Sequence, residues 1–393
     1  MARDHPQSGS AASWTALIAP RAARWLGWMT VLYYLTNFVL QPVTFGLFFR
    51  DLLGAGPWAY AAGAILCCAL PAVIAYRGIT PSTQGAVTFL VIETVVVAAL
   101  CLTAAFFNPG RAEPLSPRGF GIPPEGLSGI AQAMVFTMLS FCGFDVVSTL
   151  SEEAKMAPRL IPQATILCLL LFGAFVIGGI WCLTYAMPEA KLREILGGGG
   201  SLPITEVARA FWGRGAVLVV VTGLSAALGI AIATAVGASR VLFAMGRGGL
   251  APALFGRVHE VRRVPWNAMH LVFGAGLLGA LAAGALIGPY RAYLWWGTTS
   301  TFFAMVTFVF VNLANLILNR GRARTPLGFL LYAAVPLSGI GVDLVILYRS
   351  FFVELWAQGW AAGRSAIAFD VACALLALLA LRVKRAEPAP SPP

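Results

Sequence analysis

Ten apolar runs follow one another between residues 25 and 381, and they leave few folds open. They lie at 25–53, 58–76, 84–106, 130–150, 163–187, 215–245, 269–289, 293–319, 327–350 and 365–381. A helix needs about 20 mostly apolar residues to cross the hydrocarbon core of a bilayer. Charged residues make up only 11% of the chain and hydrophobic ones 59%, where a soluble domain carries roughly 25% charge. The chain therefore reads as an all-α polytopic membrane protein embedded in a lipid bilayer, and nothing long enough is left over for a soluble enzyme domain.

The net charge of +11 does not point to nucleic acid, because the basic residues are scattered through short loops between the runs. They bear on topology instead, since cytoplasmic loops collect Lys and Arg. With the N-terminus inside, 17 of the 27 basic residues fall on the inner face and 10 on the outer. Both termini are expected in the cytoplasm of a cell membrane protein. The leader up to Pro20 holds one very short apolar run, so it is no signal peptide, and no helix is expected there. All seven cysteines sit in apolar runs without a C-x-x-C pair, and they read as small packing residues. Three dispersed histidines make no metal site, and no cofactor is expected.

One run is interrupted. Residues 134–162 begin as an apolar helix, then read Ser140-Phe141-Cys142-Gly143-Phe144-Asp145, with Glu152, Glu153, Lys155, Arg159 and Pro162 following. In lipid, a helix breaks only where its freed backbone lines a protein cavity or is otherwise satisfied. Gly-interrupted spans point to a transporter's binding site. Two readings stay open. Unwound backbone here would bind a substrate carboxylate, as helix N-termini bind anions. Alternatively, Gly143 marks a close helix contact and Asp145 the edge of a cytoplasmic vestibule.

No nucleotide-binding, serine-hydrolase or zinc-protease motif occurs, so the remaining candidates are polar groups inside spans, which are costly in a membrane. Glu93 stands in an otherwise apolar run, as a proton-accepting or cation-coordinating carboxylate or as a neutral acid bonded to a neighbouring helix. Asn37 with Gln41, and Asn312 with Asn315, sit about one turn apart and read as interhelical hydrogen bonds. Trp295 and Trp296 read as an interfacial aromatic belt, with a gating role as the alternative. Asp343 is buried by pattern and has no assigned partner. Ser225, Thr234 and Ser239 mark a closely packed span.

The stretch FCGFDVVSTLSEEAKMAPRLIP resembles the broken sixth helix and next loop of the amino acid–polyamine–organocation superfamily. Residues 238–247 with Pro252, Val264 and Pro265 resemble its eighth helix and loop, and Tyr76-Arg77-Gly78-Ile79 the entry to its fifth. The resemblance runs from about Arg21 to the C-terminus. It implies a five-plus-five inverted-repeat fold with two further helices, alternating access, and a midplane site for an amino acid or polyamine-type small molecule. Carried onto this chain, it implies substrate-binding backbone at Phe141, Cys142, Gly143 and Phe144, with Asp145 and Glu93 as coupling or gating groups, and protons, or alternatively sodium, as the driving ion.

By the same resemblance the first run matches the family's third helix, so the first repeat is incomplete. The expected layout is a cytoplasmic segment at 1–24, three helices of a first repeat at 25–107 and an extracellular loop at 108–129. A complete second repeat follows at 130–319, then two additional helices at 320–383 and a tail at 384–393. Glu93 stands where many proton-coupled members have Lys, and Gly248 where Asp is common. The leading functional expectation is a secondary active transporter of amino acids or related amines. The alternative is a shortened, non-transporting membrane protein, or a misassigned start, that keeps the bundle without a complete site. A channel is the remaining option, without a visible ring of pore charges.

Overall fold

The computed structural model describes residues 10–19, 22–54, 56–77, 83–107, 121, 126–143, 157–186, 201–260, 262, 264–356, 359 and 363–379. Among these there is no strand. Eight helices are long and apolar enough to cross a membrane. Two of the ten expected spans appear as shorter helices, the 16-residue Gly126–Phe141 and the 15-residue Ser365–Leu379. The protein is a polytopic helical membrane fold.

The bundle is built around α2 (Ala23–Leu53), which follows the short α1 (Ser10–Ile18). Its most apolar window is 83% buried, and Met29, Tyr33, Tyr34, Phe38 and Leu47 are fully enclosed. A helix that is apolar all round and enclosed all round is a central rod rather than a lipid-facing one. Gly54, in a left-handed conformation, caps α2 by donating to the Arg50 carbonyl. Pro57 then opens α3 (Pro57–Tyr76). This tight turn lays α3 back against α2.

Lipid tails are as apolar as leucine, so helices in a membrane associate by close packing and hydrogen bonds rather than by the hydrophobic effect. The packing around α2 follows that rule. Phe48 fills the space at Gly223 of α8 (Val217–Arg247), and Met245 of α8 covers Gly27, so the two helices run antiparallel. Phe38 fills the space at Gly276 of α9 (Trp266–Ile287). The Tyr60 hydroxyl of α3 donates to the Ala280 carbonyl at 2.8 Å. α10 (Pro289–Leu318) completes the inner layer against α2.

α4 (Thr83–Phe106) and α6 (Ala157–Ala186) form part of the outer layer. The apolar windows of these two spans are 22% and 0% buried, so their leucines and valines face the lipid. α5 is Gly126–Phe141. α7 (Pro203–Trp212) is a short amphipathic helix with Thr205, Val207 and Ala208 buried and a Glu206–Arg209 ion pair on its other side. The ninth expected span begins as α11 (Pro326–Phe329) and continues through α12 (Val335–Ile346). Wide π-helical turns occupy Leu330–Ala334 and Leu347–Leu355. The last helix is α13 (Ser365–Leu379).

Three expectations are corrected here. The leader does hold a helix: α1 packs on α2 and α10 and buries Ala11, Trp14 and Thr15. Its apolar residues are too few to signal a helix alone, and tertiary contact with α2 supplies what propensity does not. Asn37 and Gln41 are not interhelical partners. Gln41 Nε2 donates within α2, to the Asn37 carbonyl at 3.1 Å and to its side-chain oxygen at 3.3 Å. Trp295 and Trp296 form no interfacial belt. Their indoles donate to Ser365 Oγ at 3.0 Å and to the Gly279 carbonyl at 3.3 Å, and both rings pack on Phe369. They lock α13 and α9 onto α10.

Candidate functional site

α5 stops where the sequence places its glycine. The Cys142 N–H closes a last tight turn onto the Leu139 carbonyl at 3.0 Å. Gly143 then adopts φ +106°, a conformation L-residues with a Cβ rarely enter. A Cβ at Gly143 would have no heavy atom within 4 Å, so the conformation, not crowding, demands glycine there. The chain leaves helical geometry inside the bundle, and Phe144 and Asp145, both singled out from the sequence, lie outside the described residues.

Breaking the helix frees a backbone donor, which must find a partner in a membrane interior. The Gly143 N–H donates to the Tyr33 hydroxyl of α2 at 2.8 Å. Tyr33 is fully buried, its ring against Tyr34 at 4.7 Å and Phe308 at 5.9 Å. The break is thus anchored on the most enclosed helix of the molecule. Tyr33 escaped the sequence reading. A tyrosine inside an apolar run was its signal, because a buried phenol seeks a hydrogen-bond partner.

The neighbours of the break are apolar on one side and hydroxyl-rich on the other. The Phe141 ring meets Phe172 of α6 edge-on at 5.5 Å. On the other side, Thr301 Oγ1 of α10 donates to Gly297 at 2.9 Å in its own helix and reaches the Val135 carbonyl of α5 at 3.2 Å. Thr298, Thr299, Ser300 and Thr307 are buried on the same helix. Among the described residues, the hydroxyls of Thr299, Ser300 and Thr307 have no hydrogen-bond partner.

Glu93 stands elsewhere. It is half-buried on α4, on the same stripe as Val97, Leu100 and Ala104, and α4 packs on α6, α7 and α8. It makes no hydrogen bond or ion pair among the described residues. The structure therefore brings Phe141, Cys142 and Gly143 together with Tyr33 and leaves Glu93 beyond α6. Asp343 is 5% exposed on α12. The sequence reading also passed over Asp370 on α13, which is fully buried with both carboxyl oxygens unpaired among the described residues. An aspartate inside an apolar run was again the available signal. No group of three or more metal-ligating side chains occurs among the described residues.

A broken helix that presents a backbone donor beside aromatic rings and hydroxyls, inside a helical bundle, suits recognition of a small polar molecule. It offers no nucleophile paired with a base. Comparison with known proteins places the chain: the amino acid permease family profile matches residues 1–381. The chain belongs to the amino acid permease family. Its relatives include the low-affinity putrescine importer PlaP of Escherichia coli, 24% identical over 369 residues, covering 91% of this chain and 79% of the importer. The branched-chain amino acid permease BcaP of Bacillus subtilis is 26% identical over 352 residues, covering 82% and 70%. An uncharacterised transporter of Mycobacterium tuberculosis is 30% identical over 303 residues, covering 74% and 64%. These are transporters, not enzymes, so in this permease the break at Gly143 is read as a binding feature.

Proposed function

We propose that this permease is a secondary active transporter of amino acids or related amines, working by alternating access with proton coupling. The observation that carries the reading is the end of α5 at Phe141, with Gly143 turned out of the helix and its N–H held by a buried hydroxyl. A substrate carboxylate is a better acceptor than a phenol, because charge-assisted hydrogen bonds are roughly twice as strong as neutral ones. Tyr33 then stands in for the substrate carboxylate and yields its place when substrate enters. Phe141, Cys142, Gly143 and Phe144 form the backbone side of the site, with Asp145 below it. The named relatives support the substrate class, one being a branched-chain amino acid permease and one a putrescine importer.

Glu93 is the proposed coupling carboxylate. One charge moving down about 100 mV supplies about 2.3 kcal/mol. At about 1.4 kcal/mol per decade, that sustains roughly 50-fold accumulation. The test is uptake of labelled leucine and putrescine into proteoliposomes under an imposed pH gradient. Accumulation that collapses with the gradient supports the reading, and Glu93→Gln should then leave exchange intact while removing accumulation. Unchanged proton dependence in Glu93→Gln removes that residue from the mechanism. A folded protein that moves neither solute assigns the bundle a non-transporting role.

A further inference from the structure

A second charged site lies at the opposite end of α2 from the N-terminus. A cavity of about 200 Å³ opens there between α2, α7 and α8. Leu52, Val217 and Val220 give it apolar walls, and Asp51, Arg209 and Arg214 supply its charges. Mostly apolar walls with a few convergent polar groups are the usual make-up of a small-molecule site.

The charges are held, but not all are used. Asp51 Oδ1 accepts from Ser201 Oγ at 2.9 Å and lies 3.8 Å from Arg50 Nη2. Asp51 Oδ2 has no hydrogen-bond partner among the described residues, although the side chain is only 5% exposed. Arg209 Nη1 is committed to Glu206 at 2.6 Å and to Ser201 at 3.1 Å. Arg214, exposed at the same cavity, makes no ion pair among the described residues. A buried carboxylate that keeps an unused acceptor is expensive, and a guanidinium without an anion is a ready carboxylate fork. Both border one recess.

We infer that this recess is a peripheral binding site for a small zwitterionic amino acid, its ammonium on Asp51 and its carboxylate on Arg214. An anion alone would gain Arg214 but face Asp51. A diamine would gain Asp51 but set its second ammonium against Arg214. The volume equals that of about seven waters at roughly 30 Å³ each, which suits a short aliphatic side chain against Val217 and Val220. The site is separate from the break at Gly143 and does not depend on the transport reading.

The test reads occupancy at the recess itself. Val217 is 46% exposed and lines the cavity. In purified Val217→Cys protein, maleimide alkylation at position 217 is followed by mass spectrometry with L-alanine, acetate or putrescine present. Bound alanine slows the reaction by 1 + [L]/Kd, about elevenfold at ten times Kd, while acetate and putrescine leave the rate unchanged. Adding Asp51→Asn or Arg214→Gln should abolish protection without altering the ligand-free rate. Asp51→Asn keeps an acceptor for Ser201, and Arg214 is exposed, so neither change threatens the fold. Equal protection by acetate would overturn the inference in favour of a simple anion site. Protection that survives both charge variants, or no protection at any alanine concentration, would also overturn it. None of these results depends on whether the protein transports alanine.

Discussion

The hydrogen bond from Gly143 to Tyr33 makes the sharpest prediction. Tyr33→Phe removes one oxygen and leaves the ring packing on Tyr34 and Phe308 in place. Gly143 is half-buried, so the cost of its lost partner belongs at the low end of the range for an unsatisfied donor, about 1 kcal/mol. The folded protein should lose about that much stability, seen as an earlier thermal unfolding transition. Substrate binding should move the other way. If the carboxylate must displace the phenol, removing a competitor worth about 1 kcal/mol tightens binding about fivefold at about 1.4 kcal/mol per decade. The assay is initial-rate uptake of labelled leucine by wild-type and variant proteoliposomes, with the melting transition measured on the same preparations. A fivefold lower KM with reduced stability supports displacement. An unchanged KM means the bond is structural only, and a raised KM means the hydroxyl contacts the substrate directly; either refutes the reasoning.

Two further perturbations test the packing and the break. Gly276→Ala drives a methyl into the Phe38 ring, and overpacking of this kind costs typically 1–3 kcal/mol; Gly274→Ala on the same helix meets nothing within 4 Å and should leave the thermal transition unchanged or raise it. Gly143→Ala meets no steric obstacle but must hold φ +106°, a strain of order 1–3 kcal/mol, so uptake should fall without aggregation, and wild-type rates would show that the backbone there is free to relax.

The long apolar runs were legible because length and hydrophobicity alone decide whether a helix spans a membrane. The break in α5 was legible for a local reason, since a glycine amid apolar residues announces a conformation other residues avoid. Partnership was not legible. Asn37 and Gln41 pair within α2 because a glutamine folding back one turn competes with a neighbouring helix for the same amide, and spacing does not say which wins. Trp295 and Trp296 looked like belt residues because an indole's composition signal is the same whether its N–H meets water or the Gly279 carbonyl. α1 was missed because so short a helix draws its stability from the surface it packs on.

The sequence by itself determined that this protein lives in a membrane as a helical bundle, that one helix breaks at Gly143, and that the family is one of permeases. Those properties follow from runs, residue types and short motifs, which neighbours along the chain settle. Only the tertiary structure decided that α2 is the central rod, that Tyr33, 110 residues away, holds the freed N–H of Gly143, and that Asp51 and Arg214 share a recess. The physical reason is that hydrogen bonds and close contacts between helices depend on how each helix is rotated about its axis, and that rotation is fixed by packing against all the others at once.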